Sequence, residues 1–491
     1  MDRRSFLRLG GLTIGTLALA PHTWAAEDPH AGHMSMPMAP ADNTPLLPVA
    51  DMPAGRALPA LQKLKNQSNP AGQFQATLTA APRTVQFKPG LDTVVWAYNG
   101  QTPGPLIEVY EGDVLEIRLV NQLTQPTTIH WHGLPVPPAQ DGNPGDEVAP
   151  GTERTYRFVL PAGSAGTYWY HPHPHGHTAE QAYMGLAGPL IVRSRRDPLV
   201  GMPEQHLVFS DLKLGADGKI AGNNDMDWMN GREGQFVLIN GALQPVITAD
   251  GMQRWRLWNM CNARYLNLSL GGQPFRLVGT DGGLLEHARA ITQLLLAPGE
   301  RAEIVVMGDG PVDLQALAYD RGLMGDAPAP QALTLAKIAL SGGATRPIPS
   351  HLRQITPLTP GGVQKRVVFS EQMSMAGGVH SMTPLVNGKS YDMNRVDLLS
   401  QRGAVEAWSL VNDSDMDHPF HLHGTQFQVA SRTRNGQTIP EPFLAWRDTI
   451  NLRPNETVLI HVVQQQAGPR MFHCHILEHE DRGMMGILSV V

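Results

Sequence analysis

Two cysteines, Cys261 and Cys474, serve 491 residues. At most one disulfide can form, so the chain has to stand on buried apolar surface rather than on crosslinks. Basic charge is also scarce. Lys and Arg number 38 against 44 Asp and Glu, a net charge of -6 at pH 7, and no Lys/Arg-rich patch is present, which argues against a nucleic-acid partner. Long apolar runs are missing too. The run from Leu9 to Ala20 falls short of the about 20 residues a membrane-spanning helix needs, and no later segment is more apolar, so no stable membrane insertion is expected. Long amphipathic helices, with their 3.6-residue period, are not evident.

What fills the chain instead is turns and alternation. Fifty glycines and 41 prolines supply the breaks that many short strands require. Leu115, Ile117 and Leu119 alternate with Glu116 and Arg118, and Tyr156, Phe158 and Leu160 flank Arg157, as half-buried antiparallel strands do. Three landmarks recur in the same order. Asn99-Gly100, Asn240-Gly241 and Asn387-Gly388 each follow an apolar stretch. Strands ending in Asn121, Asn259 and Asn412 come next, and then Pro turns at Pro150-Gly151, Pro298-Gly299 and Pro454-Asn455. Such a series is the mark of one fold in three copies. The length suits about three ordinary domains. Arg193 to Pro198 and Thr345 to Pro349 read as linkers, placing the copies at 62–198, 199–348 and 349–491.

The segment Met471-Phe472-His473-Cys474-His475-Ile476-Leu477-Glu478-His479, with Met484 beyond it, carries the most chemistry. Successive side chains of a strand point to opposite faces, so His473 and His475 share one face and Cys474 takes the other. A thiolate, an imidazole from His479 and a thioether from Met484 form the ligand set of a blue-copper electron-transfer centre. The flanking histidines are free to hold a different metal centre one peptide unit away. Three further clusters supply it: His130-Trp131-His132, His171-Pro172-His173 and His418-Pro419-Phe420-His421-Leu422-His423. Ten of the chain's 20 histidines lie in these four groups. One histidine pair is commonly structural, whereas four clusters with a cysteine inside one of them point to metal.

These motifs resemble those of the three-domain bacterial multicopper oxidases, in their copper-efflux and laccase-like branch. The resemblance covers nearly all of the chain after its leader, with no motif ligand substituted. It implies an all-β architecture of three cupredoxin-like Greek-key β-sandwiches and four coppers. His418, Cys474 and His479 would hold a type 1 copper with Met484 axial, Met485 being the competing thioether. His130 and His421 would hold the type 2 copper, and His132, His171, His173, His423, His473 and His475 the type 3 pair. Motifs occur in the first and third copies only, so those two must meet face to face, with the second as spacer and wall. The activity implied is one-electron oxidation of a donor at type 1 coupled to four-electron reduction of O2 to water at the three-copper site.

Oxygen reduction consumes protons, and Asp141 and Glu480 match acidic positions that assist proton delivery in similar enzymes; a solvated loop charge is the plain alternative. His175 and His177 read as neighbours of the site or surface residues. For the donor, Met416 between Asp415 and Asp417 offers a thioether and carboxylates to Cu(I), and Met226, Met229, Met373, Met375, His380 and Met382 lie within reach in sequence or are ordinary core fillers. The chain lacks the long Met- and His-rich insert of many copper-efflux relatives, which argues against strong Cu(I) specificity and leaves the type 1 edge more open to bulky phenols. The readings are a Cu(I) and phenol oxidase serving copper tolerance, a laccase without a metal-oxidase role, a copper-binding or storage protein, and a structural protein on the same scaffold. A monomer is the default.

The first 26 residues set the compartment. Arg3-Arg4, the apolar run and small residues at Ala25-Ala26 form a twin-arginine signal peptide, so the twin-arginine export machinery is a partner and the periplasm the destination. Residues 27–61, rich in Pro, Ala and Met, are expected to be flexible. Their stretch His30-Ala31-Gly32-His33-Met34-Ser35-Met36-Pro37-Met38 has soft ligands suited to Cu(I).

Overall fold

The computed structural model describes residues 44–343, 345–362, 364–376 and 379–491. The signal segment and the His30 to Met38 stretch lie outside the described residues. The architecture is all-β, in three pairs of sheets: four and three strands in the first unit, seven and five in the second, six and five in the third. Each pair closes over its own apolar core, centred on Leu115, Ile117 and Trp131 in the first unit, Trp255 and Leu257 in the second, and Trp408, Phe420 and Phe472 in the third. The expected alternation holds, with Leu115, Ile117, Leu119, Tyr156 and Phe158 buried while Arg118 and Arg157 face solvent. Among the described residues the α-helices run five or six residues, at Thr178–Tyr183, Asp225–Asn230 and Leu477–Asp481.

The three copies are built by the same hydrogen bonds. Asn99, Asn240 and Asn387 all sit at φ of 51–52°, a left-handed conformation Asn tolerates. Their side-chain oxygens accept from Thr79 N, Val208 N and Val368 N, each on the neighbouring strand. Asn121, Asn259 and Asn412 close the next loop in each copy. Their amides donate to Val148 O, Leu296 O and Leu452 O across the sandwich. In each unit the first strand also runs parallel to a later one: Gln73–Ala80 beside Val114–Asn121, Glu204–Phe209 beside Arg254–Asn259, and Gln364–Ser370 beside Ala407–Asp413. A parallel neighbour cannot be reached by a hairpin, so this pairing is what makes the strand order a Greek key.

The sequence predicts a flexible segment over 27–61; within it residues 44–61 stay largely exposed but are pinned to the second unit at separate points. Ala54 pairs with Leu243 and Ala57 with Val246, the edge strands of the second unit's two sheets. Leu47 and Met52 are buried against Leu214, Phe236 and Leu238. Exposed sheet edges are a liability, and this strap covers two of them. The first two units are further locked by Arg256, whose Nη1 lies 2.6 Å from Glu303 Oε1 and donates to Thr167 Oγ1 at 2.7 Å. Among the described residues no helix is long and apolar enough to cross a membrane. Both cysteines are buried and free.

Candidate metal centre

One strand pair sorts the site. Phe420 faces Cys474, His421 faces His473 and Leu422 faces Phe472 across the strands His418–Leu422 and Gly468–Cys474. Alternation then sends His418, Phe420 and Cys474 into the core of the third unit and His421 and His473 to the opposite face. His475 lies just past the strand end, held by its N–H to Pro419 O at 2.7 Å, and its ring stays near that of His473 (centroids 5.8 Å apart). In the first unit His130 and His171 form an isolated bridge, while Trp131, between His130 and His132, fills the core.

The core face holds the cysteine site, where burial pushes the Cys474 thiol well up. His418 Nδ1 stands 3.5 Å from Cys474 Sγ, and the ligand atoms of His418, Cys474 and His479 lie within 4.8 Å of one another. His418 Nε2 donates to Ser414 Oγ (3.0 Å) and Glu371 Oε1 (3.2 Å). His479 Nε2 donates to Met229 O at 3.1 Å, which leaves its Nδ1 without a partner. Such outer bonds fix which nitrogen faces inward. Met484 packs in the same apolar cluster as Cys474, whereas Met485 packs with Tyr391 and Met471 in another.

The other face gathers eight fully buried histidines from the first and third units. His130 Nε2 lies 3.3 Å from His421 Nε2, and His132 Nδ1 lies 3.4 Å from His171 Nε2. His473 Nε2 has His173 Nε2 at 3.3 Å and His423 Nε2 at 3.0 Å. The six residues pooled in sequence as one set divide into two triplets, His132/His171/His475 and His173/His423/His473. Burial, then the neighbouring imidazoles, holds the protonation of His132, His171, His173, His421, His423 and His475 far below the usual range. Burial brings His473 down to about 3.

These nitrogens need a cation. Three Nε2 atoms facing one another satisfy at most one N–H···N bond, and both nitrogens of His475 have no hydrogen-bond partner. An unpaired buried polar atom is costly. An ion with bonds of about 2.0–2.3 Å sets its ligands roughly 3–4 Å apart, the spacing found here. Imidazole with thiolate suits copper.

Carboxylates surround the cluster. Asp141 Oδ1 accepts from His130 Nδ1 at 3.0 Å, and its Oδ2 is 3.4 Å from His423 Nδ1. Glu480 places Oε1 3.2 Å from His173 Nε2 and Oε2 3.2 Å from His473 Nδ1. Burial, then Asp481, pushes the Glu480 carboxyl well up. Sequence reasoning missed Asp448, which accepts from His132 Nε2 (3.1 Å) through Oδ1 and from His421 Nδ1 (2.9 Å) through its backbone O. Arg447-Asp448-Thr449 carries no ligand spacing that would have flagged it. His175 is exposed and His177 half-buried.

The trio Met416, Asp415 and Asp417 does not form one surface site. Met416 is fully buried, with Arg321 Nη1 3.3 Å from its sulfur. Asp417 accepts from Tyr319 Oη and Asn451 Nδ2, both at 2.6 Å. Only Asp415 is exposed. The Asn412 amide grips Met416 O and the Asp417 N–H donates to Arg321 O, which turns the thioether inward.

Models of the multicopper oxidase family match residues 79–197 and 363–491, the two units that carry the histidines. The chain belongs to the multicopper oxidase family. A multicopper oxidase of Staphylococcus haemolyticus is 34% identical over 442 residues, 88% of this chain and 91% of its own. The structure of a multicopper oxidase from Campylobacter jejuni, described as a metallo-oxidase, matches with a TM-score of 0.89 at 45% identity, over 91% of this chain and 98% of its own. The cell division protein FtsP of Photorhabdus laumondii is 32% identical over 422 residues, 81% of this chain and 85% of its own. As a multicopper oxidase the protein is an oxidoreductase that takes copper as cofactor and passes electrons from a reductant to oxygen.

Proposed function

We propose that this multicopper oxidase couples one-electron oxidation of Cu(I) and small phenols at a type 1 site to four-electron reduction of O2 to water at a trinuclear site, in the service of copper tolerance. His418, Cys474, His479 and Met484 would hold the type 1 copper. His130 and His421 hold type 2, and the two triplets hold the type 3 pair, four coppers in all. The observation that carries this reading is Cys474 set between His473 and His475, one peptide unit from each triplet. Storage needs no such bridge, and a structural role needs no convergent ligands.

Copper, when bound, supplies a one-electron acceptor at the thiolate site and a place for oxygen to be reduced among the histidines. The chain's own residues do the rest. Glu371 and Ser414 orient His418, and Asp141 orients His130. The Glu480 carboxyl, whose protonated form burial favours, stands beside His173 and His473 as a site for proton transfer, and Asp141 stands beside His130 and His423 as a second.

Cu(I) is expected to reach the type 1 edge by Met226 and Met375 rather than by Met416. Met226 lies exposed on the helix Asp225–Asn230, whose Met229 O binds His479. That helix packs against the hairpin strand Val379–Val386, the partner of the strand bearing exposed Met375. Soft thioethers suit Cu(I). Oxygen uptake with Cu(I) and with a simple phenol, side by side, tests the assignment. Slower uptake with Cu(I) but not with phenol in Met226→Leu/Met375→Leu supports a cuprous oxidase. Uptake with phenol but not with Cu(I) makes the protein a laccase without a metal-oxidase role, and no uptake by the copper-loaded protein sinks the reading. Arg3-Arg4 and the apolar run after them support export by the twin-arginine route to the periplasm, which fractionation of producing cells would check; a monomer stays the default, which sizing of the purified enzyme would check.

A further inference from the structure

The second unit carries no copper motif, yet one of its side chains is tied to the histidine cluster. Arg301 opens the strand Arg301–Val306, directly after the Pro298-Gly299-Glu300 turn, and is fully buried. Its guanidinium contacts all three units. Nε donates to Thr167 O of the first at 2.9 Å, and Nη1 to Gly299 O of the second at 3.0 Å. Nη1 and Nη2 grip both carboxylate oxygens of Asp448 in the third, at 2.7 and 2.6 Å. Asp281, in the second unit, fixes the Arg301 backbone by accepting its N–H at 2.8 Å.

A two-point grip fixes the plane of a carboxylate as well as its position. Asp448 Oδ1 is therefore aimed at His132 Nε2, with Thr449 Oγ1 also 3.1 Å from that nitrogen. With Nε2 engaged, His132 is left to present Nδ1 to its triplet. His130, His171, His421 and His473 do the reverse, bonding outward through Nδ1. The backbone of Asp448 holds His421 in the same stroke.

We infer that Arg301 is a positioning residue of the trinuclear site: through Asp448 it sets the inward nitrogen of His132 and the placement of His421. The copper-free second unit is thus part of the metal centre. This rests on the assignment of His132 and His421 as ligands.

The test compares the full-length, copper-loaded wild type with Arg301→Met and with Arg301→Met/Asp448→Asn. The readouts are the type 2 EPR signal relative to type 1, the blue absorption, and the denaturation midpoint of the metal-free protein. Arg301→Met leaves the Asp448 charge buried and unpaired, so its midpoint falls and its type 2 copper affinity drops about 10–100-fold. The double variant removes the Arg301 and Asp448 charges and leaves Asp281, 3.5 Å from Nη1 in the wild type, as the one carboxyl that loses its cation. Its midpoint returns toward wild type while the type 2 signal stays depleted and the blue absorption is unchanged. Recovery of both midpoint and type 2 signal in the double variant would overturn the inference, since the pair would then serve folding alone. So would a wild-type type 2 signal in Arg301→Met. A wild type that shows the blue band but no type 2 signal would instead overturn the ligand assignment beneath it.

Discussion

Gly299 and Gly151 occupy the same turn in successive copies, which makes a controlled experiment possible. Both have positive φ, +84° and +74°, so alanine at either pays about 1–2 kcal/mol for the left-handed backbone. They differ in what a Cβ meets. At Gly151 nothing lies within 4 Å, whereas at Gly299 the Cβ would stand 2.9–3.0 Å from Cγ, Cδ2 and Nε2 of His475. Ordinary carbon contacts are about 3.5–4.0 Å, so the His475 ring must retreat by roughly 0.5–1 Å. Metal–ligand distances tolerate only about ±0.2 Å. Gly151→Ala should lose about 1–2 kcal/mol of stability in denaturant and keep wild-type copper content and oxygen uptake. Gly299→Ala should lose at least as much stability, lose copper from the His132/His171/His475 triplet, and take up oxygen about 100-fold more slowly. Full copper content with wild-type uptake in Gly299→Ala would refute the placement of the second unit against the cluster.

Cys474→Ser should fold, with a stability cost of about 1–3 kcal/mol for the unpaired hydroxyl, while losing the blue absorption and all oxygen uptake; a variant that stays blue would exclude Cys474 as ligand. Because burial holds the cluster imidazoles neutral, the unfolded chain binds their protons near pH 6.5 and the metal-free fold does not until far lower, about 3 for His473. The imidazoles' contribution to metal-free stability is therefore full above pH 6.5 and falls by about 1.4 kcal/mol per pH unit per imidazole below it, opposed by the buried carboxyls of Glu480, Asp481 and Asp281, which burial pushes up; a His475→Asn variant whose midpoint falls between pH 7 and 5 as steeply as that of the wild type would contradict this. Arg470 is fully buried, its Nε and Nη1 have no hydrogen-bond partner, and among the described residues no carboxylate pairs with it. Arg470→Met should hold or raise metal-free stability by about 1–3 kcal/mol, and a clear drop in midpoint would show that the guanidinium has a partner in solution.

The features legible in sequence were those written in local spacing. His-X-His and His-Cys-His separate side chains by strand alternation, so their faces follow from the backbone period alone. The Asn-Gly turns and strand-ending asparagines marked the threefold repeat because each makes the same short-range hydrogen bonds in every copy. What spacing does not encode was missed. Asp448 and Arg301 lie 147 residues apart in number and meet only because three units dock. Met416 read as a Cu(I) ligand because it sits between two aspartates, but its side chain is buried and Arg321 from the second unit covers its sulfur. The strap from residue 44 looked unstructured because its bonds go to distant sheet edges and follow no period of its own.

The central claim is that four distant histidine clusters and one cysteine form a thiolate site wired to a trinuclear site. An anomalous difference map at the copper edge, from crystals of the copper-loaded protein, tests it most directly. The account predicts one peak among His418, Cys474 and His479 and three peaks among the eight histidines: one between His130 and His421 and one within each triplet. A map with no peak inside either triplet, or with copper bound away from Cys474, would contradict it.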